Sequence, residues 1–273
     1  MNINSTKSEW NKIAEEWDKE AGDTGVWHQR HDIDPVIVRL AGKVKEKKIL
    51  EIGCGNGYLS RKMAKKGAKV TAIDISEKFI HLASNKEKRN PLGVRYFVKD
   101  AANLRGIKSR NFDIVIANMV LIDIPNAEKT IKETSRILKE KGKFIFSITH
   151  PVLNDFIQER VIINKDRKYL AVAVYKYLTP FSIRETFGVG KITITATQFH
   201  RPIGSYFKYL TESNFLVKNL IEVATKRKPT KVNFLPPRKR PYLLKYKNEN
   251  EKKIKEFALK EIPWFLVISA IKN

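Results

Sequence analysis

A single cysteine, Cys54, is all that the 273 residues contain. No disulfide framework and no cysteine-based metal centre can be built from it, and a reducing compartment fits best. Behind Met1 there is no apolar stretch that would act as a leader, so the expected location is cytoplasmic. No apolar run reaches the roughly 18 residues of a membrane-crossing helix, and mean hydropathy is −0.38. Histidines and acids show no grouping at metal-ligand spacing, so no metal is expected. Internal repeats and low-complexity tracts are missing. Acidic residues are scarce, 29 Asp+Glu against 53 Lys+Arg, which leaves a net charge of +24. That excess raises nucleic acid, an anionic surface or an acidic ligand as partners.

What is present suffices for a large core: 42% hydrophobic and 10% aromatic residues. The length suits one catalytic-sized domain with an addition. Short apolar runs at 48–52, 70–73, 94–98 and 112–117 alternate with helical patterns at 58–66, 76–89 and 127–139, and a fifth strand follows at 143–148. Such alternation predicts α/β architecture: a Rossmann-like, mostly parallel sheet with helices on both faces, brought to seven strands by runs at 215–224 and 264–271. Ahead of it, Thr6-x-x-Glu9 reads as a capping box opening a helix with Trp10, Ile13, Ala14 and Trp17 on one face. Asp34-Pro35 reads as an N-cap with proline at the first helical position. After His150 the rhythm breaks into β-rich runs around a Gly188/Gly190 turn region, an expected antiparallel cap. The resulting segments are 1–45, helical; 46–150, the first sheet half; 151–202, the inserted cap; and 203–273, completing the sheet. Short helices are also expected at 205–213 and 249–260.

The chemistry concentrates where the first strand turns into its helix. Glu51-Ile52-Gly53-Cys54-Gly55-Asn56-Gly57 places three glycines at alternate positions, which lets a ligand approach the backbone closely. The spacing is not G-x-G-x-x-G, because Tyr58 stands where the third glycine would, and there is no G-x-x-x-x-G-K-[ST]. An acid before the glycines would repel a pyrophosphate but suits a cationic or amino-acid-bearing ligand. Asp74, with Ile75 beside it, ends the second strand, where a carboxylate can accept both ribose hydroxyls. Asp100, followed by Ala101, ends the third and could accept from an exocyclic amine. Three acids at successive strand ends describe a nucleoside carrying an ammonium group.

In these motifs the chain resembles the class I S-adenosylmethionine-dependent methyltransferase superfamily. Ile49–Gly57 is similar to its motif I, Ala72–Ser76 to its ribose-binding motif, Lys99–Ala102 to its adenine-binding motif and Phe112–Asn118 to its motif IV. Ile137–Lys143 resembles the turn before strand five, although Glu140-Lys141-Gly142-Lys143 replaces the usual Pro-Gly-Gly. The resemblance implies S-adenosyl-L-methionine as cofactor. Gly53, Gly55 and Gly57 would line its methionine part, with Cys54 a small filler and Asn56 in the same loop, while Asp74 holds the ribose and Asp100 with the Ala101 backbone holds the adenine. Asn118 either caps its strand or faces the sulfonium. An aromatic N-terminal helix folds over the cofactor in such proteins, which makes residues 1–45 a lid and Trp17 and Trp27-His28 its lid residues. His150-Pro151 and His200-Arg201-Pro202 match features of the subgroup acting on small molecules, and the Asn/Asp-Pro-Pro-Tyr of nucleic-acid amino-methyltransferases is absent.

A proton-bearing acceptor calls for a base of near-neutral pKa. His150, at a strand end on the active edge, is the first candidate and His200 the second; hydrogen bonding to backbone is the competing role for either. Charge divides unevenly: residues 1–150 carry 29 basic and 19 acidic groups (+10), and residues 151–273 carry 24 and 10 (+14). Nine of those cations fall in 226–247 without an acid, broken by Pro229, Pro236, Pro237 and Pro241 into a looped basic arm. The expected enzyme therefore methylates oxygen or nitrogen of a small molecule, with an anionic acceptor as one use of the charge. An RNA or ribosome-associated methyltransferase using the arm is the second reading, and a non-enzymatic cofactor-binding regulator the third. Acceptor identity and oligomeric state are not legible.

Overall fold

The computed structural model describes residues 3–152, 158–164, 169–174, 176–189, 191–226 and 263–273. Helix α1 (Ile3–Ala21) leads through a π-helical turn, Gln29–Ile33, into α2 (Asp34–Ala41). Then follow β1 (Lys48–Ile52), α3 (Tyr58–Ala64), β2 (Lys69–Asp74), α4 (Glu77–Arg89), β3 (Arg95–Val98), β4 (Phe112–Asn118), α5 (Ala127–Ile137) and β5 (Leu138–Thr149). After β6 (Gln158–Asn164), β7 (Tyr169–Val174), β8 (Phe181–Val189) and β9 (Ile192–His200) come α6 (Ile203–Glu212), β10 (Phe215–Ala224) and β11 (Pro263–Lys272).

Seven strands form one sheet in the order β10-β11-β5-β4-β1-β2-β3. The five from β3 to β5 are parallel, while β11 runs antiparallel to both β5 and β10. Central strands read as continuous apolar runs because both faces are covered. Ile49 feeds the core under α2 and α3, and its neighbours Leu50 and Ile52 feed the other, where Phe144, Phe146 and Tyr206 pack. Strand order reverses between β1 and β4, and at that reversal a crevice opens beyond the carboxyl ends of the strands. Two helices bordering it have side-chain caps, Ser76 accepting from the Phe79 amide and Asn126 from that of Lys129.

The sequence reading needs local corrections. Thr6 and Glu9 do not cap α1, which starts at Ile3. Glu9 instead accepts from the Thr197 amide at 2.9 Å, the Thr197 hydroxyl at 3.2 Å and Arg184 Nε at 2.8 Å, so the helix is fastened to the β8–β9 pair. Asp34 lies inside α2 and sends its carboxylate to Tyr58 and Lys62 rather than to a backbone amide. Helix α5 stops at Ile137, two residues early, because Leu138 is already extended against Phe112. The expected cap region contains two separate antiparallel pairs, β6–β7 and β8–β9. Of the basic arm 226–247, only Lys226 is among the described residues; the helix expected at 249–260 lies outside them.

Arg201 fixes the loop after β4. Its buried guanidinium donates to the carbonyls of Leu121 at 3.0 Å, Ile124 at 2.7 Å and Pro125 at 2.8 Å. The Phe199 amide adds a bond to the Ile122 carbonyl at 2.7 Å. Lysine has no planar fork to span three carbonyls, and each buried carbonyl left unpaired costs about 1–3 kcal/mol. Arg201→Lys should therefore lose about 2–4 kcal/mol in a urea unfolding titration, with amide exchange rising across 119–126. Unchanged exchange there would contradict the role assigned to this side chain.

Candidate active site

The crevice at the β1–β4 reversal contains a cavity. Its lining comes from the loop after β1, the ends of β2, β3 and β4, the 119–125 loop, and α1. Of the residues the sequence singled out for the cofactor, Glu51, Gly53, Cys54, Gly55, Asn56, Asp74, Ile75, Asp100, Ala101, Asn118 and Trp17 all line it. Gly57 does not; it caps α3 with φ 79°.

The glycine loop is held open by backbone geometry. Gly53 has φ 65°, and a Cβ there would lie 2.2 Å from Val120 Cγ2. Gly55 has φ 52°, and a Cβ would meet nothing nearer than Phe79 at 3.9 Å, so the space beside it belongs to the cavity. Both positions exclude side chains, one by collision and both by conformation. Asp74 ties this loop to the next: its carboxylate accepts from the Gly55 amide at 2.9 Å and the Ser76 amide at 2.9 Å. Each oxygen retains acceptor capacity. Burial pushes the Asp74 carboxyl up, opposed by the Ser76, Gly55 and Ile75 amides. Asp100 accepts from the Ala102 amide through Oδ1 at 2.8 Å. Asn56 donates to Asp18 and to the Gly22 carbonyl, both at 2.8 Å, fastening the loop to the end of α1.

Glu51 is almost wholly buried, and its carboxyl is pushed up to about 8 by that burial, against the Ser60 hydroxyl that donates to it. The protonated form is thus favoured in the folded chain. Its contribution to stability is complete below pH 4.5, the ordinary value, and is lost as pH rises through 8. Cys54 is inert filler, its thiol pushed well up by burial. Asn118 is fully committed: its Oδ1 accepts from the Ser147 hydroxyl at 2.6 Å and its Nδ2 donates to the Tyr58 hydroxyl at 2.8 Å. Tyr58 in turn donates to Asp34 at 3.0 Å, and Lys62 closes the chain at 2.8 Å.

Neither histidine is placed for catalysis at this cavity. His150 is buried at the end of β5 and its Nε2 donates to Glu222 on β10 at 3.0 Å, while its Nδ1 accepts from the Val152 amide at 3.3 Å. Both nitrogens are used, and burial lowers its pKa. His200 Nε2 donates to the Tyr177 carbonyl at 2.8 Å, and its ring packs on Phe181 and Tyr177. Neither lines the cavity. Trp27 and His28, expected over the cofactor, also lie off it: His28 pairs with Asp32, and Trp27 packs on His31.

The closing wall is α1. Ile3, Thr6, Trp10 and Trp17 face inward, with Trp10 edge-on to Trp17 at 5.8 Å and against Phe79. No described residue of 151–202 lines the cavity; β9 acts from behind, through Glu9 and through Arg201. Sequence reasoning missed Thr6 and Asp123, both in the lining. Asp123 had a signal, as the one acid between Asn118 and Pro125. Among the described residues no group of three His, Cys, Asp or Glu side chains is placed to hold a metal ion.

The family described as "Methyltransferase domain" matches residues 50–146. A ubiquinone biosynthesis O-methyltransferase of Coxiella burnetii is 31% identical over 140 residues, covering 51% of this chain and 59% of that protein. One from Pelagibacter ubique is 29% identical over 162 residues, covering 54% and 65%. The chain thus spans about three fifths of the length of the curated relatives it matches. Among solved structures, an S-adenosylmethionine-dependent methyltransferase from Mesorhizobium loti superposes with a TM-score of 0.64 at 21% identity, over 87% of this chain and 96% of the other, a likeness of fold. Residues 50–146, which hold the glycine loop, Asp74 and Asp100, are thus similar to a methyltransferase domain.

Proposed function

We propose that this chain transfers a methyl group from S-adenosylmethionine to a hydroxyl of a small-molecule acceptor. The observation that carries the reading is the meeting of Asp74, Asp100 and the 53–57 loop at one cavity beyond the β1–β4 reversal. In this reading Asp74 accepts from the ribose hydroxyls, Asp100 from the adenine amine with Ala101 and Ile75 beside it, and Glu51 faces the ammonium group. Gly53, Cys54, Gly55 and Asn56 follow the methionine part, and Gly57 serves by starting α3. Asn118 shapes the floor, held by Ser147 and Tyr58. Trp17 and Trp10 close the cavity as part of a lid formed by α1.

The donor supplies a methyl already activated by a sulfonium. What the chain adds is orientation and exclusion of water. An oxygen acceptor follows the names of the relatives, ubiquinone biosynthesis O-methyltransferases. The ionisable lining is Glu51, Asp74, Asp100 and Asp123 against Lys99, which speaks against an anionic acceptor and against RNA in the cavity. No helix among the described residues is long and apolar enough to cross a membrane; a cytoplasmic setting is part of the proposal.

Removing the ribose acceptor tests the reading. Asp74→Asn should weaken S-adenosylmethionine binding about 100-fold in calorimetry, the worth of two hydrogen bonds to a charged group, with circular dichroism unchanged. Retained affinity would sink the proposal. A second test is linkage. An ammonium ligand selects ionised Glu51, so binding at pH 7 should release protons and tighten until pH reaches about 8. Calorimetry in buffers of different ionisation enthalpy measures this, and Glu51→Gln should abolish most of the release.

A further inference from the structure

Asp123 has no part in the roles given so far, although it lines the same cavity. It sits in the turn after β4, 6% exposed, with its amide bonded to the Val120 carbonyl. Its Oδ1 has no hydrogen-bond partner among the described residues. The charged groups around it are Asp74 and Glu9, both repelling, and Arg201, whose donors are spent on three backbone carbonyls; Gln198 supplies a side-chain hydrogen bond. Burial pushes the carboxyl well up. A second orphan lies in the same lining: the Thr6 hydroxyl, 4% exposed, also lacks a partner among the described residues. Thr6 stands one helical turn before Glu9, whose charge reaches Asp123.

Buried polar groups left unpaired are costly, and a ligand that completes them is one physical reason for keeping them. Here a carboxyl oxygen from the 119–125 loop and a hydroxyl from α1, both without a partner among the described residues, belong to residues lining one cavity. We propose that Asp123, assisted by Thr6, holds the acceptor's hydroxyl and takes its proton as the methyl is transferred. This rests on the methyltransferase reading above. The acceptor O–H bond breaks and an O–CH3 bond forms. The S–CH3 bond breaks with its electron pair remaining on sulfur. The proton passes to the Asp123 carboxylate and leaves to water with the products, so no oxidant or reductant is needed. A carboxyl that burial pushes up is a stronger base than an ordinary one, and a sulfonium in the same cavity favours its ionised form. The acceptor class that follows is an uncharged hydroxyl compound, because an anion in this cavity would share it with Asp123, Asp74, Asp100 and Glu51.

The test uses the full chain saturated with S-adenosylhomocysteine, titrated calorimetrically with catechol and with benzoate, which pair the same ring with a hydroxyl donor and with an anion. Catechol should bind and benzoate should bind at least about tenfold more weakly. Asp123→Asn should weaken catechol about tenfold or more and narrow that preference. With labelled S-adenosylmethionine, kcat for methyl transfer to catechol should fall about 100-fold or more in Asp123→Asn, and Thr6→Val should act mainly on KM. S-adenosylhomocysteine affinity should be unchanged in both variants. Catechol that fails to bind the saturated protein, binds Asp123→Asn as well as the natural chain, or binds less tightly than benzoate overturns the proposal. Failure of S-adenosylhomocysteine to bind the natural chain would instead overturn the methyltransferase reading itself.

Discussion

Four carboxyl groups, Asp34, Glu51, Asp74 and Asp123, are buried at the carboxyl edge of the sheet, and each is pushed up by desolvation. Among the described residues only Asp34 has an ion pair of its own, with Lys62. Concentrating like charge in low dielectric is expensive, and the surrounding structure is arranged to carry it. Backbone amides of Gly55 and Ser76 serve Asp74, and the Ser60 hydroxyl serves Glu51. A chain with a net charge of +24 therefore has a cavity whose own character is acidic. The net charge of the whole chain and the ionisable lining of the cavity have opposite signs.

The same constraint explains the loop geometry. Amides can reach Asp74 only if the chain doubles back after β1, and the doubling back uses positive φ at Gly53, Gly55 and Gly57. Val120 then fills the space beside Gly53, which joins the glycine loop to the 119–126 loop. Arg201 holds that second loop by its carbonyls, so the His-Arg-Pro sequence works as scaffold. A motif that resembles one of a small-molecule subgroup thus acts through the backbone it organises.

Legibility in the sequence followed the distance between partners. The glycine loop, Asp74 and Asp100 could be read because each lies at a strand end, where position in the chain dictates position at the edge. The sheet could be read for the same reason, since its central strands are continuous apolar runs. His150 and His200 could not: their partners, Glu222 and Tyr177, are 72 and 23 residues away, and no spacing rule links them. Thr6 and Glu9 imitate a capping box, but Glu9 bonds 188 residues onward to Thr197, a tertiary contact that outcompetes a local one. Asp123 was visible as an isolated acid, yet its lack of a partner is a property of packing alone. Residues 227–262, with most of the basic arm, lie outside the described structure.

Strand β11 is the last of the described elements, yet it lies inside the sheet, bonded to β5 along one side and β10 along the other. Until residues 263–272 leave the ribosome, β5 has an open edge and β10 has no neighbour in the sheet. The contacts that finish the sheet are thus among the longest in sequence, which makes their closure slow relative to the local βα units. During synthesis the nascent chain carries an unpaired apolar strand edge of the kind that recruits other strands, and the exposure ends only when β11 inserts.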